Sequence, residues 1–137
     1  MEKTHFLVGD STEYIDEFYD NNGDTLIVDG KGLRSTFYPS KKIKSIVEYN
    51  NGIENGYFKF YKPNGQIRKS GNYVNGKKFG KWEELFITID SIYQIINYED
   101  GKKTGEFKEY YQNGKISMDG KYLNDLKNGL WTYSFRN

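Results

Sequence analysis

Five similar blocks follow one another along this 137-residue chain. Each block opens on a glycine, at Gly32, Gly56, Gly80, Gly105 and Gly129, and the intervals between them are 24, 24, 25 and 24 residues. A fixed period of this length is typical of small supersecondary units stacked in an array. Such arrays more often present a binding surface than an active site, so the period also sets the first functional expectation.

Aromatic rings recur at fixed places within the blocks. Four of the five blocks carry a ring two residues after the glycine, and most carry a ring or a leucine five residues after it. Aromatic residues make up 18% of a chain in which only 36% of residues are hydrophobic, so rings on a thin sheet fit better than an aliphatic sandwich. We expect the structural rings of the repeat to be Phe58, Tyr61, Trp82, Phe107, Tyr110 and Trp131.

Asparagine-glycine pairs separate the apolar runs. Asn-Gly accepts the positive φ that both central positions of a type I′ hairpin turn require, and short runs rich in Tyr, Phe, Ile and Val are typical of strands. We therefore interpret each block as two short antiparallel strands and two turns, and stacked hairpins would share one face of rings. The turn pairs are Asn51-Gly52, Asn64-Gly65, Asn75-Gly76, Asp100-Gly101 and Asn113-Gly114.

The two ends of the chain fit the repeat less well. Residues 17–32 keep a Phe-Tyr pair and an Asn22-Gly23 turn, so we interpret them as a degenerate hairpin that leads into the array. We expect residues 1–16 to be an N-terminal cap or a partly disordered segment, and residues 17–137 to be the array. The last block has one strand, Leu130–Phe135, whose edge either pairs with a partner or is simply short.

Several classes of function are disfavoured by composition. A net charge of +1 gives no field that attracts nucleic acid or an anionic membrane, so we expect no nucleic acid as a partner and regard membrane association as disfavoured but open. The chain has no cysteine and one histidine, His5, outside the repeats, so we expect no metal site and no cofactor. Neighbouring acids such as Glu83 and Glu84 would point to opposite faces of a strand, which argues against an acid–base pair and against an enzyme.

The sequence from Gly105 to Ile116, GEFKEYYQNGKI, resembles the bacterial MORN-variant repeat, as does the Tyr-x-x-Gly-Lys-Lys-x-Gly stretch at Tyr98–Gly105. The resemblance covers residues 17–137. It implies an all-β fold, an elongated, twisted, single-layer antiparallel sheet of repeated β-hairpins, and interaction rather than catalysis. Many bacterial proteins of this type resemble the YwqK-like antitoxins, which are proposed to neutralise a toxin, and in other lineages the repeat occurs in lipid-associated scaffolds.

The positions that differ between blocks are the best candidates for partner binding, because shared positions serve the scaffold. We expect a cognate protein, a toxin or effector, as the partner of a non-enzymatic antitoxin or immunity protein. The alternative is a structural scaffold or an envelope-associated repeat protein that binds lipid or glycan. We expect a cytoplasmic location, or an envelope or periplasmic one if a leader was removed. The candidate partner-binding residues are Tyr57, Lys59, Lys81, Glu83, Glu106, Lys108 and Leu130.

Overall fold

A computed structural model describes the backbone of residues 2–6, 13–19, 25–28 and 30–135, and the side chains from Gly30 to Phe135. The described residues form twelve strands and no helix. The strands are β1 (Glu2–Phe6), β2 (Glu13–Tyr19), β3 (Thr25–Val28), β4 (Lys31–Phe37), β5 (Ile43–Asn50), β6 (Ile53–Tyr61), β7 (Ile67–Val74), β8 (Lys77–Leu85), β9 (Ile92–Glu99), β10 (Lys102–Tyr110), β11 (Ile116–Leu123) and β12 (Leu126–Tyr133).

All twelve strands belong to one sheet, in which their spatial order is their order in the chain. Every strand pairs antiparallel with the next, and the sheet does not close on itself within the described residues. Consecutive pairing follows because each short turn returns the chain beside the strand it has just left. The expected single-layer antiparallel sheet of repeated hairpins is confirmed.

Tight turns join the two strands of a hairpin at one edge of the sheet. Asn75 and Gly76 have φ angles of 49° and 75°, which is the type I′ conformation predicted from the Asn-Gly pair. Asp100-Gly101 and Asn51-Gly52 are alike, and Asn124-Asp125 adopts the same conformation without a glycine. A backbone N–H of each turn donates to a carbonyl of the preceding hairpin, as Gly76 does to Glu54 at 2.8 Å.

Turns at the other edge differ from the prediction. Asn64 does not have a positive φ, while Gly65 does, so Asn64-Gly65 is not a type I′ turn. Five residues separate β6 from β7, and the Asn64 Oδ1 atom accepts a hydrogen bond from the Gln66 N–H at 3.0 Å. Asn113 and Lys115 repeat this bond. The asparagine here stabilises a wider turn through its side chain, so the expectation of type I′ geometry at both edges was wrong.

Strands β1, β2 and β3 extend the sheet at its N-terminal end. The strand β2 crosses the predicted boundary between residues 16 and 17 and pairs with both β1 and β3. The predicted Asn22-Gly23 turn lies outside the described residues, and so does the side chain of His5. The division into a cap and an array therefore stays a prediction.

The core lies on one face of the sheet, which we call the ring face. Its buried centre is Trp82, Ile96 and Phe107, and partly buried side chains pack around them. These surrounding residues are Phe58, Tyr73, Tyr98, Met118, Tyr122 and Trp131. Within this cluster, each ring is covered chiefly by the rings of neighbouring strands.

Candidate functional site

Contacts between neighbouring rings close the ring face to solvent. Trp82 stacks on Phe58 with ring centroids 5.3 Å apart, and Tyr73 and Tyr98 meet it edge-on at 5.2 and 6.1 Å. Trp82 lies flat over Gly71, where an added Cβ would come within 2.2 Å of the indole. Its Nε1–H donates to the carbonyl of Asn72 at 3.2 Å, and Trp82 is only 2% exposed. An exposed aromatic platform is therefore absent from the middle of this face.

A row of lysines borders these rings near the tight turns. The Lys78 ammonium lies 4.6 Å from the centroid of Trp82 and 5.0 Å from that of Tyr98. Lys103 and Lys127 repeat the arrangement over Tyr122 and Trp131, at 5.2 and 4.3 Å. Burial, together with the nearby Lys69 and Lys103, lowers the pKa of Lys78. These cation–π contacts stabilise the edge of the ring face.

Charged and polar side chains fill the opposite end of the ring face. Glu84 pairs with Arg68 at 2.8 Å and with Lys69 at 3.4 Å, and Gln94 donates to it at 3.3 Å. Burial alone would raise the pKa of Glu84, but Lys69, the Gln94 hydrogen bond and Arg68 together lower it below its usual value. The carboxylate is therefore held ionised as part of a structural network.

The other face carries the side chains that differ between blocks, and we call it the variable face. Residues on either side of a ring-face residue point away from it because side chains alternate along a strand. Lys59, Glu83 and Lys108 flank Phe58, Trp82 and Phe107 in this way. Cross-strand pairing joins them in one row, which consists of Ile46, Lys59, Ser70, Glu83, Ile95, Lys108, Asp119 and Thr132.

The predicted partner-binding residues therefore lie on the same face. Lys59, Glu83 and Lys108 stand in the row just described, and the other four lie two positions before it on their strands. Lys81 bonds Glu83 along the strand at 2.7 Å, and the Lys59 ammonium lies 5.3 Å from the Tyr57 ring. The four are Tyr57, Lys81, Glu106 and Leu130, and together the seven span β6 to β12.

A shallow concavity of about 330 Å³ opens on this face across the last three strands. Three predicted residues, Glu106, Lys108 and Leu130, line it together with Asp119, Lys121 and Asn128. Glu106 stands opposite Lys121, and Lys108 stands opposite Asp119. No ion pair within 4.0 Å joins these four side chains in the part of the chain that the structure describes. Their charges thus remain available to a partner.

The predicted structural rings divide between the two faces. Phe58, Trp82, Phe107 and Trp131 lie in the core cluster, whereas Tyr61 and Tyr110 do not. Both tyrosines stand three residues beyond a core ring, so the alternation of the strand directs them to the variable face. The tyrosines that complete the cluster, Tyr73, Tyr98 and Tyr122, are a shared position of the repeat that we did not name as structural rings.

Other types of site find no support among the described residues. No group of three or more His, Cys, Asp or Glu side chains there could hold a metal ion. Glu83 and Glu84 lie on opposite faces and pair with different lysines, Lys81 and Lys69. None of the described segments is a helix of the length and apolarity needed to cross a membrane.

Comparison with known proteins identifies the repeat. The family model described as the MORN repeat variant matches residues 31–51, 54–75 and 103–124. No curated protein and no solved structure gave a significant match to the chain. Each matched segment covers most of two adjacent strands, so the family repeat coincides with the hairpin unit of the sheet. Three of the hairpins, with 65 of the 137 residues, therefore match the variant type of the MORN repeat.

Proposed function

We propose that this protein is a binding module whose variable face covers the surface of one cognate protein, and that it acts in this way as an antitoxin or immunity protein. The MORN repeat supports a binding or scaffold role. The finer role rests on the resemblance of the repeat to that of the YwqK-like antitoxins. The observation that carries the choice of face is the row of differing residues on the side of the sheet opposite the core.

The row has a regular charge pattern that a partner can match. Lys59, Glu83 and Lys108 stand on alternate strands, so neighbours along the row are about 10 Å apart. A complementary partner surface would carry an acidic, a basic and an acidic side chain at that spacing. Matching charges contribute specificity and association rate more than affinity. The half-exposed rings of this face, such as Tyr57, would supply apolar contact.

Lipid or glycan binding through aromatic stacking is less consistent with this structure. Such a site needs rings whose faces are open to the ligand, as in stacking platforms of other proteins. Trp82 and Phe107, at the middle of the ring face, are 2% and 4% exposed. Their faces are already occupied by Phe58, Trp131 and the strands beneath.

The test is capture of the partner from the native cell with the tagged 137-residue chain, using two variants as comparison. The first, Lys59→Glu/Glu83→Lys/Lys108→Glu, inverts the charge row. The second, Lys102→Glu, makes the same net change of charge at the exposed first residue of β10, outside the row. We expect the wild-type chain and Lys102→Glu to retain one stoichiometric protein and the triple variant to lose it at least tenfold.

The captured protein is then expressed alone and with each variant. A toxin would arrest growth alone, the wild-type chain and Lys102→Glu would restore growth, and the triple variant would not. Equal capture by all three chains would contradict the choice of face. A captured protein that is harmless when expressed alone would contradict the antitoxin role and leave the scaffold role.

A further inference from the structure

The outer edge of β12 pairs with no strand among the described residues. The exposed fraction reaches 88% at Leu130 and 91% at Phe135, and Leu126 and Tyr133 are also exposed. Trp82 has the same place in its repeat as Trp131 but has the strand β9 beside it, where Ile96 and Tyr98 cover its outer side. The edge of β12 therefore has the composition of an interior strand without its neighbour.

The repeat follows one pairing rule at this place in the three units that open at Gly56, Gly80 and Gly105. The opening glycine stands opposite a tyrosine of the next strand, and the ring two residues later stands opposite the residue two before that tyrosine. One strand therefore supplies the sequence Gly-x-ring. The neighbouring strand supplies a three-residue sequence whose first residue faces the ring and whose last residue is tyrosine. The pairs are Gly56 with Tyr73 and Phe58 with Gly71, Gly80 with Tyr98 and Trp82 with Ile96, and Gly105 with Tyr122 and Phe107 with Gly120.

The strand β12 contains both halves of this rule in one segment, Gly129–Tyr133, with the sequence GLWTY. It is thus complementary to a second copy of itself running in the opposite direction. We propose that the chain forms a two-fold homodimer through β12, with Trp131 of each copy opposite Trp131 of the other. Gly129 then stands opposite Tyr133 of the second copy, and Leu130 opposite Thr132.

Two tryptophans fit at the centre because each leans away from the edge. The Trp131 indole lies over Gly120 of its own chain, where an added Cβ would meet it at 2.4 Å, and its centroid is 5.5 Å from that of Phe107. In the single chain the Lys127 ammonium lies 4.3 Å from the centroid of this indole and donates to the hydroxyl of Tyr133 in the same chain at 2.7 Å. In the dimer, Tyr133 of the second copy would replace that tyrosine. It would occupy the place that Tyr98 has beside Trp82.

The same register opposes no like charges. Lys127 stands opposite Phe135 of the second copy and Asn128 opposite Ser134, so the repulsion that blocks many edge pairings is absent. A two-fold axis perpendicular to the sheet keeps the faces aligned, so the two ring faces join and the two variable faces point the same way. The dimer would present the proposed partner-binding face twice, although it does not depend on that function.

The register can be tested with introduced thiols because the chain has no cysteine. In Leu130→Cys/Thr132→Cys, the thiol at position 130 of each copy faces the thiol at position 132 of the other, so the two-fold axis produces two such pairs. Asp119→Cys/Lys121→Cys puts the same pair on the same face one strand further in, beyond disulfide reach of the second copy. Under mild oxidation we expect a covalent dimer from the first variant in at least tenfold greater yield than from the control.

Light scattering of the 137-residue wild-type chain gives the second readout. We expect a particle mass of twice the 16.1 kDa of one chain. The variant Leu130→Asp/Thr132→Asp should have the mass of a single chain, because its exposed carboxylates would face each other twice across the dimer edge. Thermal unfolding of this variant at low concentration should match that of the wild-type chain. A monomeric wild-type chain would overturn the proposal. A dimer in which Leu130→Cys/Thr132→Cys gives no more covalent product than the control would also overturn it, because the copies would then meet through another surface.

Discussion

At the scale of single residues, the size of each core ring is complementary to the size of the residue that faces it on the preceding strand. Both tryptophans lie over a glycine, Trp82 over Gly71 and Trp131 over Gly120. Phenylalanine instead stands opposite a β-branched residue, as Phe107 does opposite Ile96. The spacing of rings is evident in the sequence, but this match is not, because it depends on which residues the register brings together.

Replacing Gly71 with valine is expected to destabilise the protein by about 1–3 kcal/mol, because the new side chain collides with the indole of Trp82. The variant Ser70→Val is the control, since its side chain lies on the other face of the same strand, and it should be neutral or slightly stabilising. Urea unfolding measures both. A Gly71→Val chain as stable as the wild type would show that the indole does not lie against this glycine.

The same contact predicts a compensating substitution. In Gly71→Val/Trp82→Phe the smaller ring leaves room for the valine, so the double variant should be more stable than the sum of the two single effects by at least about 1 kcal/mol. The four chains of this double-mutant cycle are compared by urea unfolding. Strict additivity would mean that the two positions do not touch.

The tyrosine beside this contact predicts how stability depends on alkaline pH. Burial, followed by the nearby Glu54, Tyr49 and Tyr98, raises the pKa of Tyr73 to about 12. A folded-state pKa above the unfolded value of about 10 stabilises the fold below pH 10, and this contribution is lost as the pH rises from 10 to 12. The pKa of Lys78 is lowered in the folded state, so stability rises with pH as this lysine loses its proton. The two effects oppose each other, and the pH dependence of the wild-type chain alone does not separate them.

The variant Tyr73→Phe separates the two effects because it keeps the ring and removes the ionisable hydroxyl. Its stability should fall less steeply than that of the wild-type chain between pH 10 and 12, as measured by urea unfolding at several pH values. Parallel profiles for the two chains would show that the Tyr73 phenol titrates at its ordinary pKa.

At the scale of elements, the two edges of the sheet are made by different turns. The sequence predicted both from Asn-Gly, and was right only where two residues connect the strands. At three of the wider turns, the residue after the five-position ring reaches to the next unit, as the Tyr38 hydroxyl does to the Tyr61 carbonyl at 2.5 Å. Tyrosine and lysine both fill this position, so the sequence alone did not show that they have one role.

The longer third block gives this contact its most buried form. The extra residue lies in the turn between β8 and β9, and the Lys62 ammonium, only 6% exposed, bonds the Ile89 carbonyl and Asp90 there, at 3.3 and 3.0 Å. Asp90→Ala should destabilise the protein by about 1–2 kcal/mol, because it leaves a buried ammonium with one partner fewer. Asp90 itself is half exposed, which keeps the effect at the lower end of such losses.

Lys77→Ala is the matched control for that prediction. Lys77 pairs with Asp100 at 2.7 Å, but both side chains are more than half exposed, so the loss should be much smaller than that of Asp90→Ala. Thermal or urea unfolding compares the two variants. Equal losses would contradict a special role for the buried lysine.

At the scale of the whole molecule, the sheet separates two tasks between its faces. The 24-residue period, its rings and its turns were sufficient to predict one layer of antiparallel hairpins. The seven candidate binding residues were chosen because they differ between blocks, and their common face became evident only in the structure. The lysine row and the glycines under the indoles were not predicted, because both need the cross-strand register. The identity of the partner could not be predicted in this way, because most of the sequence specifies the scaffold and only a few residues differ between blocks.

The central claim is that the ring face stabilises the fold and the variable face does not. The most direct test is the free energy of unfolding in urea for Trp82→Ala and for Lys59→Glu/Glu83→Lys/Lys108→Glu, each compared with the wild-type chain. We predict a loss of about 3–5 kcal/mol for the first variant and less than about 1 kcal/mol for the second. Equal losses for the two variants, or a stable Trp82→Ala chain, would contradict the division of the sheet into a structural face and a binding face.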